Sequence, residues 1–131
     1  MELTTVESPY SVGDTVGRLM AAVFRRGITV FARINHAANA RAVGLSMADE
    51  EVLIFGDPRE GTVLMQADPR VGFELPLRVV VWDQDGVTRI GYESPESLGE
   101  RYELADRAEV LKRMATLLAG LVSEATLRGV A

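Results

Sequence analysis

The sequence predicts an α+β fold, a single compact domain whose mixed or antiparallel sheet carries an N-terminal and a C-terminal helix. Three observations point there. Apolar residues recur at helical spacing near both ends of the chain, at Val12, Val16, Leu19, Met20 and Val23 and again at Leu111, Met114, Ala115, Leu118, Leu121 and Val122. Two alternating segments, Leu77 to Trp82 and Val87 to Tyr92, flank Asp85-Gly86, a two-residue turn signal for a hairpin. A short apolar run, Val52 to Phe55, stops at Gly56-Asp57-Pro58, as a buried strand does before a helix.

Each element has a local reason. A first strand is expected over Leu3 to Glu7, ended by Ser8-Pro9. Ser11-x-x-Asp14 then opens the first helix, Arg25 and Arg26 complement its negative end, and Gly27 supplies a left-handed stop. Ile28 to Ile34 reads as a strand with Ile28, Val30, Ala32 and Ile34 on one face and Thr29, Phe31, Arg33 and Asn35 on the other. Ala37 to Ala42 reads as a short helix and Val43 to Met47 as a strand. Asp57-Pro58 suits the cap and first position of a helix running to Ala67, and Asp68-Pro69 ends it because the residue before proline avoids the α region. Val71 to Leu75 reads as a loop. The last helix is expected from about Arg107 to Arg128, opened by Asp106-x-x-Glu109, with Val110 and Leu117 widening its apolar stripe.

The turn at Asp85-Gly86 sets a register. Trp82 falls opposite Arg89, Val80 opposite Gly91 and Arg78 opposite Glu93, while Leu77, Val79, Val81, Ile90 and Tyr92 gather on the core side. The Trp82–Arg89 face is mixed, with room for a cation–π contact and a charge pair, and holds the only Trp. Self-association or a helix of the same chain would cover it. The wide last helix also favours a dimer.

Composition bounds the function. The 131 residues form one domain, 1–131, with 47% hydrophobic and 25% charged residues. Nineteen acids against fourteen bases give a net charge of −5, which argues against nucleic-acid binding. The chain has no cysteine, hence no disulfide, thiolate nucleophile or thiolate metal site. Without a signal-peptide pattern or an apolar run approaching ~18 residues, the expectation is a cytoplasmic protein with no membrane association.

The chemistry-bearing motifs are incomplete. Gly56-Asp57-Pro58-Arg59-Glu60-Gly61-Thr62 has the glycine spacing of a phosphate-binding loop but lacks the Lys-Ser/Thr that should follow the second glycine, and Asp57 and Glu60 add negative charge. Gly44-Leu45-Ser46-Met47-Ala48 imitates a nucleophile elbow without its last glycine. His36 is the only histidine. It is the one candidate for acid–base catalysis with a nearby carboxylate; its bland role is to brace the loop or, with Asn35, cap the following helix. A site of several histidines is excluded, whereas a mixed site with Asp57 or Asp68 stays open. Arg33, Arg41, Arg70 and Arg78 could converge with Asp57 and Asp68 on an anionic small molecule, or neutralise one another as internal ion pairs.

Asn35-His36-Ala37-Ala38, Leu53-Ile54-Phe55-Gly56-Asp57-Pro58, Leu64-Met65-Gln66-Ala67-Asp68-Pro69 and Leu75-Pro76-Leu77-Arg78-Val79 together resemble the family called domain of unknown function 302. The resemblance runs from Ser8-Pro9-Tyr10 through Tyr92 to Pro95. It implies a compact α+β domain that forms dimers, with no established activity to transfer. Asn35 stands where the family favours an acid before the histidine, and Asp57 where it favours asparagine, so the charge around His36 is altered. The expectation is a homodimeric binding or interaction module without a cofactor or metal. Its cleft would be lined by Arg33, Asn35, His36, Gly56, Asp57 and Asp68; the alternative is an enzyme using His36.

Overall fold

The computed structural model describes residues 2–129. The chain runs β1 (Thr4–Ser8), α1 (Val12–Arg25), β2 (Thr29–Asn35), α2 (His36–Ala42), β3 (Glu50–Gly56), α3 (Pro58–Ala67), a 3₁₀ turn (Pro69–Phe73), β4 (Leu77–Gln84), β5 (Val87–Tyr92), 3₁₀ turns at Pro95–Glu100 and Ala105–Arg107, and α4 (Ala108–Thr126). The five strands form one antiparallel sheet in the order β1-β5-β4-β3-β2. The α+β class and the two terminal helices are as the sequence predicts, and the sheet is antiparallel at every pairing.

The helix starts follow from their caps. Ser11 Oγ accepts from the Asp14 N–H at 3.1 Å, and Gly27 takes the left-handed conformation (φ 67°) two residues after α1. Asn35 caps α2 by accepting from the Ala38 N–H at 2.9 Å. Asp57 caps α3, with Pro58 in its first turn. At the hairpin Asp85 and Gly86 both have positive φ (54° and 86°), which gives a two-residue turn the twist of its strands and fixes Trp82 opposite Arg89 and Val80 opposite Gly91.

α1 and α4 lie on the same face of the sheet. There Leu53, Phe55, Val79, Val81 and Ile90 are fully buried against Val16, Leu19, Val23, Leu118 and Leu121. Neither of these two helices covers the opposite face, and α2 sits beside β3 with Ala37 buried outside this core. Burial along β3 alternates accordingly: Glu51, Leu53 and Phe55 are buried, Val52 and Ile54 only half so. The expectation that this strand is buried on both faces is thereby corrected.

Other expectations need correcting too. β2 carries a bulge: Val30 pairs with Phe55 and Ala32 with Ile54, leaving Phe31 as the extra residue. One added residue reverses the phase of the side chains. Arg33, opposite Leu53, therefore faces α1, while Ala32 and Ile34 face the other side of the sheet, contrary to the simple alternation read from the sequence. Val43 to Met47 forms no strand; Gly44 turns the chain (φ 81°), and Val43, Leu45 and Met47 stay exposed. Residues 69–73 make a 3₁₀ turn where a loop was expected. α4 is capped at Arg107, not Asp106, and the Asp106 side chain makes no cap bond. The width of its stripe is absorbed within the chain, by α1 and the 95–100 turn, with Val110 buried and Leu117 packed on the core.

Candidate functional site

The six residues expected to share one cleft fall in four places. Asn35 lies opposite Glu51, and Thr29 lies opposite Gly56, so Asn35-His36 and Gly56-Asp57 sit at opposite ends of the β2–β3 hairpin. Six residue steps at ~3.3 Å put those ends roughly 20 Å apart. Asp68 caps the 3₁₀ turn beyond α3, and Arg33 faces α1.

Arg33, Arg70 and Arg78 are spent on carboxylates of the same chain, whereas Arg41 makes no ion pair among the described residues. Arg33 Nε donates to Glu51 Oε1 at 2.7 Å, beside a Glu51 side chain that is buried. Arg78 reaches Glu74 at 3.5 Å, not Glu93 across the hairpin. Arg101 takes Glu93 instead, and also donates to Glu74 at 2.7 Å. Arg89 pairs with Glu7 on β1 at 3.4 Å, and no cation–π contact to Trp82 forms among the described residues. The internal ion-pair reading of these residues is the one the fold adopts.

Asp57-Pro58-Arg59 and Asp68-Pro69-Arg70 repeat one device. In each, the carboxylate accepts the backbone N–H two residues on and is held by that same residue's guanidinium. Arg59 and Arg70 hold their partners below the ordinary carboxylate value, chiefly through these side-chain hydrogen bonds. The place where a phosphate would sit at the start of α3 is thus filled by the chain's own carboxylate. His36, half-buried at the start of α2, makes no hydrogen bond or ion pair among the described residues.

Two features remain with the form of binding surfaces. The first is the sheet face turned away from α1 and α4. Ala32, Ile34, Val52, Ile54, Val80 and Trp82 are each half-buried there, and Leu3 and the 95–100 turn border Val52 and Val80 in a cleft of about 260 Å³. Glu7 and Arg89, and Glu50 and Arg78, edge it with both signs of charge. The second is a cavity of about 200 Å³ at the Gly56–Asp57 end. Its walls come from the β2 bulge, the β3–α3 turn, the 69–73 turn, the start of β4 and α4. Larger depressions, of about 680 and 850 Å³, have more polar walls that include Glu96, Glu103 and Asp106 in one and Glu93 and Arg101 in the other. The sequence signal for the open face was the apolar Val52, Ile54 and Val80 on the same side as Trp82. The cavity had none beyond Gly56 and Asp57, because its remaining walls are distant in sequence.

Comparison with known proteins places these features in a family. The family model described as Domain of unknown function DUF302 matches residues 4–121. The Fluoride-specific ion channel FluC 1 of Brucella suis biovar 1 (strain 1330) is 39% identical over 116 residues, which cover 87% of this chain and 46% of that protein. The Fluoride-specific ion channel FluC 2 of Brucella melitensis biotype 1 is 39% identical over 116 residues as well, covering 87% of this chain and 43% of that protein. The chain therefore spans less than half the length of these relatives. A crystal structure of an uncharacterized conserved DUF302 protein from Bacillus stearothermophilus superposes with a TM-score of 0.85 at 22% identity, covering 95% of this chain and 98% of the other. That likeness shows the fold.

Proposed function

The chain belongs to the family described as domain of unknown function DUF302, and for this member we propose a self-associating interaction module whose docking surface is the sheet face turned away from α1 and α4. One observation carries the reading: the centre of that face is a contiguous apolar strip, Ile34, Val52, Ile54, Val80 and Trp82, on the side away from both long helices. A contiguous apolar patch edged by polar residues marks an interaction site. The occupant we assign is a second copy. A face that meets its own copy across a two-fold axis must offer complements to itself, and Glu7, Glu50, Arg78 and Arg89 supply both signs at its edge. A nucleic acid would ask for basic residues alone.

The fluoride channel activity named for the Brucella relatives is not carried over to this chain. The match spans under half of their length, and no helix among the described residues is long and apolar enough to cross a membrane. The enzyme reading built on His36 gains no support, since the His36 side chain makes no hydrogen bond or ion pair with a carboxylate among the described residues.

Sedimentation velocity tests the proposal. Wild type should run at twice its 14.3 kDa chain mass at tens of micromolar, and Val80→Asp should run at the chain mass. A wild type that stays at the chain mass throughout, or a Val80→Asp variant that stays dimeric, ends the reading.

A further inference from the structure

The cavity beside the β3–α3 turn is shaped by side chains that are missing as much as by those present. A Cβ on Gly72 would lie 3.3 Å from Met65 Sδ, one on Gly61 would lie 3.7 Å from Leu75 Cδ1, and one on Gly56 would lie 3.7 Å from Pro76 Cβ. Three glycines thus leave the space that side chains would take, and the groups facing them are a thioether, an isobutyl and a pyrrolidine ring. Met114 supplies a further wall from α4. Phe31, the bulged residue, and Met65 stand at the opening, 51% and 39% exposed.

The wall has one charged residue, Asp57, and that carboxylate is already matched by Arg59. An anion entering here would meet a negative charge and find no free guanidinium. An apolar cavity of roughly 150 Å³ stays dry and takes up benzene. About 200 Å³ with a mainly apolar lining, open on one side, has room for a slightly larger ring. Methionine walls adapt to such a guest and make favourable sulfur–aromatic contacts.

We propose that this cavity binds a small uncharged aromatic or alicyclic molecule of one or two rings, held by Met65, Met114, Leu75 and Phe31. The chemical class differs from the anionic ligand that the arginine content led us to expect. The site lies within one chain and stands whether or not the sheet face joins two copies.

The five methionines make methyl NMR a direct test, with indole as the probe and indole-3-carboxylate as its charged counterpart. Titration with indole should move the Met65 and Met114 methyl resonances saturably, in the micromolar to low millimolar range, and leave Met20 and Met47 in place. Indole-3-carboxylate should bind at least tenfold more weakly. Gly61→Leu, which fills the cavity, should abolish the shifts; should that variant fail to fold, Gly61→Ala should weaken them. Val80→Asp should keep them, so the outcome is separable from that of self-association. Unsaturable or evenly spread shifts, shifts that survive Gly61→Leu in a folded protein, or tighter binding of the carboxylate would each overturn the proposal.

Discussion

Trp82 lies over Gly91. A Cβ at position 91 would sit 2.9 Å from Trp82 Cζ3 and 3.3 Å from Leu3 Cδ1, so the glycine leaves the space that the indole fills. Gly91 pairs with Val80, two residues along from the Trp82–Arg89 pair, and the ring leans across the strand onto bare backbone. Its Nε1 donates to Gln84 at 3.2 Å. Gly91→Ala should push the ring off this seat. We expect a changed near-UV circular dichroism signal and tryptophan emission, with a loss of about 1–3 kcal/mol in urea unfolding. Unchanged spectra would mean the indole is not held there in solution.

The two Asp-Pro-Arg turns differ in one contact, and that contact should decide their relative weight. Asp68 accepts a second backbone donor, the Glu103 N–H at 3.0 Å, which ties the start of the 69–73 turn to the segment before α4. Its side chain is 4% exposed, against 27% for Asp57. Asp68→Asn should lower the melting temperature clearly more than Asp57→Asn, which leaves a surface cap largely replaced. Equal effects would show that the Glu103 bond adds nothing.

Arg101 neutralises two carboxylates at once, Glu74 and Glu93, whose side chains are 13% and 16% exposed. The guanidinium, with Ser97, holds Glu93 below the ordinary carboxylate range. A depressed folded value stabilises the fold above that pH, and the contribution is lost as pH falls through the folded value. Arg101→Met should therefore cost roughly 1–2 kcal/mol at pH 7, a modest figure because a third of the Arg101 side chain meets solvent. The gap between wild type and variant should close as the pH is lowered from 5 to 3. A gap constant across that range would exclude the ion pairs as its source.

How far the sequence could be read depended on the range of the interaction involved. The caps at Ser11, Asn35 and Asp57 and the Asp85-Gly86 turn were legible because each is decided within four residues. The bulge at Phe31 was not: alternation through Ile28 to Ile34 is compatible with an unbroken strand, and only pairing with β3 shows the extra residue. That single residue put Arg33 on the helix face, against Glu51. The candidate site was misjudged for a related reason. Asn35-His36 and Gly56-Asp57 both follow strands, which suggested one end of a sheet. Antiparallel pairing puts the ends of successive strands at opposite edges. Charged side chains were harder still, because Glu7, Glu74 and Glu93, which take Arg89, Arg78 and Arg101, are remote in sequence or compete for the same partners.

Gly61 offers a trade between stability and binding. It lies inside α3, where glycine costs roughly 0.5–1 kcal/mol relative to alanine through the freedom it loses on folding. An alanine Cβ there would meet Leu75 Cδ1 at 3.7 Å and Met65 Cε at 4.0 Å, ordinary contact distances. Gly61→Ala should therefore raise the melting temperature by a few degrees while narrowing the cavity and weakening indole. Gly17 is the control, since it too lies within a helix, α1, and a Cβ there would meet nothing within 4 Å. Gly17→Ala should give a similar gain in stability with no change in indole affinity. If both substitutions stabilise and neither affects indole, the glycine at 61 is not keeping a binding site open, and helix propensity is all that separates it from alanine.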